Sequence, residues 1–141
     1  MIGSIHHAVK RVEAEITQQL KPQSLSFFYC NSGRHCIIDV NDDKYYVMFK
    51  REFFKSFGEI FENEKGIGES INASALSNAI SLGAKYILIV YPTGYIYKVD
   101  PLEWQDYAVK NNTIRQPFGE KTFSIPVKML ERFDNDGKQV S

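Results

Sequence analysis

The sequence predicts an α/β domain in which helices flank a mixed β-sheet that begins with a three-stranded meander. Three observations support this fold class. Apolar residues recur at helical spacing over residues 5–20, β-rich segments separated by turn signals follow up to residue 50, and a nearly continuous apolar segment lies at residues 86–91. Such an apolar segment is typical of a strand covered on both faces, so we expect residues 86–91 in the interior of the sheet.

The first half of the chain supplies one helix and the meander. Ser4 can cap the helix at its start, and Pro22 ends it. Turn signals rich in Asn, Asp and Gly then separate three β-rich segments, at residues 25–30, 35–40 and 44–50.

The second half predicts a helix, a hairpin and another helix. Residues 70–82 form the helix, and residues 86–99 form a hairpin around a Pro-Thr-Gly turn. Asp100 and Pro101 are typical of the start of a helix at residues 102–109. One or two edge strands and a helical turn at residues 127–133 complete the domain. A meander followed by a crossover helix into a buried strand requires a mixed sheet with helices on its faces.

The composition of the chain indicates its number of domains and makes some classes of partner less favourable. The 141 residues, 43% hydrophobic and 24% charged, predict a single domain at residues 1–133 and a polar tail at residues 134–141. The 17 basic residues balance the 17 acidic ones, so a nucleic-acid surface would have to be local. The sequence has no membrane-length apolar segment and no signal-peptide pattern at its start, so we expect a cytoplasmic protein without a membrane partner.

The residues best suited to chemistry lie in the second and third strands of the meander. Asp39 lies between apolar residues of one strand, and Lys50 ends the next. Hydrolysis of a phosphodiester needs a cation that activates water, and carboxylates hold such a cation. A nearby lysine can stabilise the charge that develops on the phosphate. An acid and a lysine on neighbouring strands are also a common surface ion pair, so residue types alone leave both interpretations open.

An aromatic and basic segment follows Lys50. Cations that alternate with rings allow a groove to follow a phosphate backbone while the bases stack. The same pattern also fits an amphipathic segment with its phenylalanines in the core. The candidates for nucleic-acid contact are four residues of this segment with one tyrosine and one arginine further along the chain: Arg51, Phe53, Phe54, Lys55, Tyr91 and Arg115.

With this order of elements the sequence resembles the PD-(D/E)XK nuclease superfamily, whose restriction-endonuclease-like core is shared by archaeal Holliday-junction resolvases. Over residues 34–133, including FKREFFKSFGEIF, GIGESIN, VYPTGYIY and SIPVKML, it is similar to small proteins of hyperthermophilic archaea that we associate with single-strand-specific DNA exonuclease activity. The resemblance implies a metal-dependent deoxyribonuclease with Mg²⁺ or Mn²⁺ as cofactor and single-stranded DNA as substrate.

The resemblance also implies residue roles, with one departure. Asp39 stands where the family has its strand aspartate, and Lys50 stands at the family's lysine. Met48 replaces the carboxylate that the family has two residues before this lysine. It would point into the site, because alternate side chains share a strand face, and a thioether does not bind a hard cation. Other acids would complete the site. The predicted catalytic residues are Asp39, Lys50 and Glu52, and the predicted metal ligands are Asp39, Glu13 and Glu69. Glu15 is the alternative to Glu13 as the acid of the helix, because only one of the two can face the sheet.

Met48 keeps two further hypotheses open. The fold could serve as a nucleic-acid-binding module that has lost catalysis. Alternatively, the 8 Tyr and 10 Phe exceed what one core needs, and the surplus rings form the interface of a homo-oligomer.

Overall fold

The computed structural model describes residues 2–21, 23–29, 35–49, 69–90, 95–116, 119 and 121–133. Within these ranges the chain forms three α-helices, nine β-strands and one 3₁₀ turn, and no helix there is long and apolar enough to cross a bilayer. The helices are α1 (Ile2–Leu20), α2 (Ala73–Ser81) and α3 (Pro101–Lys110). The strands are β1 (Leu25–Tyr29), β2 (His35–Val40), β3 (Asp43–Phe49), β4 (Glu69–Asn72), β5 (Tyr86–Val90), β6 (Ile96–Val99), β7 (Ile114–Arg115), β8 (Thr122–Ile125) and β9 (Glu131–Arg132).

The main sheet has six strands in the order β1-β2-β3-β5-β6-β9. The strands β1, β2 and β3 form an antiparallel meander, β5 runs parallel to β3, and β6 and β9 follow antiparallel. The predicted fold class is therefore confirmed. The apolar strand β5 lies between β3 and β6, in the interior of the sheet as its sequence predicts.

A two-residue turn fixes the register of the β2–β3 hairpin. Asn41 and Asp42 both have positive φ, 51° and 73°, and Val40 pairs with Asp43 on either side of them. Asn and Asp tolerate this left-handed region better than other residues with a Cβ, which is why this sequence can turn tightly here.

The main sheet buries both of its faces. On the first, the α1 face, Val12 and Ile16 of α1 pack in one cluster with alternate strand residues that include Cys36, Ile38, Val47 and Leu88. On the second, the α2–α3 face, the remaining alternate residues Tyr46, Met48, Ile87 and Ile89 pack in one cluster with Leu76 of α2, Trp104 of α3 and Ile125 of β8.

A second sheet, in the order β4-β8-β7, lies on the α2–α3 side of the molecule. The sequence predicts a helix from residue 70, but residues 69–72 form β4 and the helix begins at Ala73. The reason is that Asn72 is a good N-cap, since its side chain accepts a hydrogen bond from the Ala75 N–H at 3.0 Å. The predicted helical turn at residues 127–133 is also shorter, because it ends at Met129 and residues 131–132 extend the main sheet.

Trp104 ties α3 to the second sheet. It is fully buried, and its Nε1 donates a hydrogen bond to the carbonyl oxygen of Phe123 at 2.9 Å. We expect Trp104→Ala to lower the free energy of unfolding by about 3–5 kcal/mol, because it leaves a cavity and an unsatisfied carbonyl. Leu102→Ala on the same helix is the control, because Leu102 is 60% exposed and its loss should change stability by about 0.5 kcal/mol or less. Urea denaturation of both variants checks the prediction, and equal losses would contradict it.

Ionisation of the Tyr45 phenol makes the free energy of unfolding depend on pH in the alkaline range. Burial, helped by the nearby Asp43 carboxylate and Tyr86, raises the pKa of the Tyr45 phenol above its usual 10.0. Above pH 10 the phenol ionises in the unfolded chain before it ionises in the folded one, so the free energy of unfolding falls as pH rises toward the folded pKa. We expect Tyr45→Phe to lose less stability than the wild type between pH 9 and 11 in urea denaturation. Parallel pH profiles of the two proteins would show that this phenol does not contribute.

Candidate functional site

The main sheet has two ends with different surroundings. The turn end carries the Asn41-Asp42 turn. The opposite end, here called the His35 end, is where β2 and β6 begin and where β3 and β5 finish. The described residues Tyr29, Phe49, Val90 and Phe133 lie at the His35 end, and residues 30–34, 50–68, 91–94 and 134–141 follow them in the sequence. The predicted site residues Lys50, Arg51, Glu52, Phe53, Phe54, Lys55 and Tyr91, and the predicted tail, belong to these segments and lie outside the described residues.

Asp39 lies at the turn end. One carboxylate oxygen accepts the Asp42 N–H at 3.1 Å, and the other lies 3.2 Å from the Nζ of Lys44, its partner on β3. These contacts close the hairpin. Asp39 lies beside Lys44, and Lys44 is five residues before Phe49, the last residue of β3. At the usual rise of a strand this separation is about 17 Å, so Asp39 is far from the end of β3 that precedes residue 50.

Met48 faces His35 across the β2–β3 hairpin. Its side chain is 5% exposed and belongs to the core of the α2–α3 face. At this end of the sheet the paired positions of β2 and β3 therefore carry an imidazole and a thioether, and neither carries a carboxylate.

Tyr46 fixes the imidazole of His35. The Nδ1 atom lies 2.7 Å from the Tyr46 hydroxyl, and the two rings meet edge to face with centroids 5.2 Å apart. Tyr46 is 2% exposed, so its ring is held by the core, and His35 is half-buried above it. No pattern in the sequence singles out His35, so this pair is missed from sequence alone. The signal that could have found it is the turn length, because a two-residue turn sets His35 opposite Met48.

Glu69 is a buried acid on the same side of the main sheet. Its side chain is 3% exposed at the start of β4, where it faces Ile125 of β8 in the register. Alternation gives Glu69 the same strand face as Ile71, and Ile71 belongs to the core cluster of Tyr46 and Met48. The carboxylate is therefore on the inner side of the second sheet. Burial of a carboxylate is costly unless it is paired, and Glu69 interacts with other residues of the chain. Of the three predicted metal ligands, Glu69 is the one on the α2–α3 side of the main sheet.

Glu13 lies on the other side of the main sheet. Its side chain is 43% exposed on α1 and lies 3.9 Å from the Nζ of Lys10. The neighbouring acid Glu15 is buried, with Arg11 at 2.6 Å and Gln19 at 3.0 Å, and stabilises α1. The structure thus does not bring the predicted ligands Asp39, Glu13 and Glu69 together. No group of three His, Cys, Asp or Glu side chains in the described ranges could hold a metal ion.

The predicted nucleic-acid residue Arg115 is exposed at the edge of the second sheet, where its guanidinium donates hydrogen bonds to the Asn112 and Ile114 carbonyl oxygens.

On the main sheet, Tyr95 and Tyr97 lie on the α2–α3 face. The guanidinium of Arg132 lies 4.1 Å from the centre of the Tyr95 ring and 5.5 Å from that of Tyr97. Sequence reasoning missed Arg132, because a two-residue edge strand gives no periodic signal.

Comparisons with known proteins give a fold and no family. No family model matches the sequence, and no curated protein matches it. The solved structure of a nuclease from a fusselovirus superposes on the chain with a TM-score of 0.53, covering 97% of this chain and 92% of that one at 8% sequence identity. The chain therefore has a fold that is also found in a nuclease.

The position of Asp39 predicts its effect on stability. We expect Asp39→Ala to lower the free energy of unfolding by about 1 kcal/mol, because it removes the acceptor for the Asp42 N–H and the partly exposed ion pair with Lys44. Asp39→Asn keeps an acceptor for the Asp42 N–H and should lose less. Urea denaturation checks both values. Wild-type stability in Asp39→Ala would contradict the role assigned to this carboxylate in the turn.

Proposed function

We propose that this protein is a metal-dependent nuclease that hydrolyses phosphodiester bonds of DNA, with single strands as its substrate and the His35 end of the main sheet as its site. The observation that carries the proposal is the likeness of nearly the whole chain to a solved nuclease. The composition of the segments that follow these strand ends in the sequence supports it, because they contain the predicted lysine and the aromatic and basic residues.

Glu69 and Lys50 have the leading roles in this proposal. Glu69 supplies a buried carboxylate oxygen on the α2–α3 side, and Lys50 follows β3 directly at the His35 end. Met48 cannot be a ligand of a hard cation, so the described residues fit such a site only in part. Mg²⁺ commonly takes one or two carboxylates and completes its shell with waters and substrate phosphate, and Glu52 is the second candidate carboxylate.

The chemistry assigned to these residues is hydrolysis by water. Bound Mg²⁺ or Mn²⁺ would lower the pKa of the attacking water and neutralise phosphate charge. Lys50 would stabilise the charge that develops on the phosphate oxygens as the water oxygen bonds to phosphorus and the ester oxygen leaves. The rings of Phe53, Phe54 and Tyr91 would stack on unpaired bases, and this stacking would favour single strands.

A binding module without catalysis is the second candidate function. It is favoured by the burial of Met48 in the core and by the use of Asp39 in the hairpin turn, because both positions then lack a carboxylate free for a cation. Such a module would bind single-stranded DNA without metal and release it as salt increases.

Cleavage of end-labelled single-stranded and duplex DNA with Mg²⁺, Mn²⁺ or EDTA tests the proposal. We expect metal-dependent cleavage of the single strand, with Glu69→Gln lowering kcat/KM by about 100-fold or more, because loss of even an indirect metal partner costs about 10- to 100-fold. Glu15→Gln is the matched control, since it removes a carboxylate that is equally buried but lies on α1.

Three other results would change the proposal. Metal-independent, salt-sensitive DNA binding without cleavage would establish the binding module. Loss of cleavage in Asp39→Asn at unchanged stability would move the site to the turn end of the hairpin. Neither cleavage nor binding would overturn both functions.

A further inference from the structure

One side of α3 faces away from the rest of the protein. Trp104 and Ala108, about one turn apart, are fully buried and fix the rotation of the helix about its axis. The Asp100 carboxylate fixes its start, because it accepts hydrogen bonds from the N–H groups of residues 102 and 103 at 2.8 and 3.2 Å. Packing and capping therefore hold the outward side in one orientation. The exposed residues of this side are Leu102, Glu103, Gln105, Asp106, Val109 and Lys110.

The outward side of α3 carries two large aliphatic side chains. Leu102 and Val109 are each 60% exposed, whereas the other exposed large hydrophobic residues of the described ranges, Leu20 and Leu82, are 41% and 37% exposed. Seven residues are about two turns of a helix, so Leu102 and Val109 lie in line along α3. Two apolar residues at this spacing form the seam through which one helix packs against another. The side chains of Leu102 and Val109 thus form an apolar strip that can be covered by a partner helix.

Charged residues beside this strip indicate that the partner is a second copy of α3. Glu103 follows Leu102, and Lys110 follows Val109, so both charges are displaced to the same flank of the strip. In an antiparallel pair of α3 helices, Leu102 of one copy lies beside Val109 of the other. Equal flanks then meet, and each Glu103 lies beside Lys110 of the second copy. The charges on α3 are therefore complementary to themselves in the antiparallel arrangement.

The other two exposed residues are compatible with an antiparallel pair. The Asp106 side chains of the two copies lie near its centre, but each has its own counter-charge, because the Lys110 Nζ lies 3.1 Å from the Asp106 carboxylate. Gln105, on the opposite flank, meets its own copy, and amide side chains can both donate and accept hydrogen bonds. A parallel pair would bring opposite flanks together, would not join Glu103 to Lys110, and would place like ends of the helix dipoles side by side.

We propose that α3 is a homodimer interface in which two copies pack antiparallel, with Leu102 against Val109 and Glu103 paired with Lys110 across a two-fold axis. A two-fold axis suits this surface because the same patch serves both copies. The proposal does not depend on the nuclease function, and it places the interface on aliphatic residues of one helix. The ten residues of α3 span about 15 Å, so the contact is smaller than the roughly 800 Å² per partner of stable complexes, and the dimer is weak.

Sedimentation equilibrium and ¹⁵N–¹H NMR of the protein at about 10 µM to 1 mM test the interface. We expect a monomer at the lower end and a dimer that accumulates toward the upper end, with the amide signals of α3 shifting as it forms. Leu102→Glu and Val109→Lys should each leave the protein monomeric, because a symmetric dimer contains the substitution twice and would bury the charge. Leu20→Lys on α1 is the matched control and should dimerise like the wild type, since it also places a charge at an exposed aliphatic position.

Stability of the variants separates loss of the dimer from loss of the fold. An acid in the first turn and a lysine in the last turn both suit the helix dipole, so urea denaturation at low micromolar protein should give the wild-type midpoint for Leu102→Glu and Val109→Lys. A dimer that persists in both folded variants would place the interface elsewhere and overturn the proposal. A wild type that stays monomeric over the whole concentration range would overturn it as well.

Charge reversal tests the antiparallel arrangement. Glu103→Lys and Lys110→Glu each bring like charges together at both ends of the dimer, and we expect each to raise the dissociation constant about 10-fold. An equimolar mixture of the two variants should recover a dissociation constant close to that of the wild type, because each contact between residues 103 and 110 then joins opposite charges. A mixture that dimerises no better than the separate variants would contradict the antiparallel pairing.

Discussion

The register of the β2–β3 hairpin is the constraint on which the rest of this structure depends. The Asn41-Asp42 turn has two residues, so each side chain of β2 has one defined partner on β3. A shift by one residue would exchange the two faces of a strand, moving Tyr46 and Met48 from one core to the other. Both faces are buried against different elements, so only one register satisfies the packing. The same register separates Asp39 from the end of β3 and brings His35 to it.

Much of the fold could be predicted from the sequence, because local patterns determine it. The helical stripe of α1, the apolar run of β5 and the Asp100-Pro101 start of α3 each appear at their predicted places. The predicted Ser4 cap was wrong, because α1 begins at Ile2 and Ser4 lies inside the helix. The second sheet could be predicted only in part. The strands β7 and β8 form a local hairpin in the region of the predicted edge strands, whereas β4 is short and acquires its partner β8 through long-range pairing. Periodicity over four residues does not separate the end of a loop from a strand.

The candidate site was harder to predict than the fold, for a reason that one residue illustrates. The sequence assigns Asp43 to the turn, whereas in the structure Asp43 is the first residue of β3 and pairs with Val40. If Asp43 belonged to the turn, Met48 would pair with Cys36, and His35 would not lie opposite Met48. The burial of Glu69 could not be predicted either, because it depends on tertiary packing. In the sequence, an acid that caps a helix looks the same as an acid whose side chain points into the core.

The edge strand β9 has a consequence for how the protein is made. It pairs with β6, the Phe133 N–H donates to the Ile96 carbonyl oxygen at 2.8 Å, and the side chain of Gln19 on α1 donates to the Phe133 carbonyl oxygen. A ribosome synthesises β6 well before residues 131–133, so the nascent chain carries an unpaired strand edge during that interval. Such an edge is open to pairing with other chains. The sheet is therefore completed only after residues 131–133 have been synthesised, when α1, β6 and β9 can be joined.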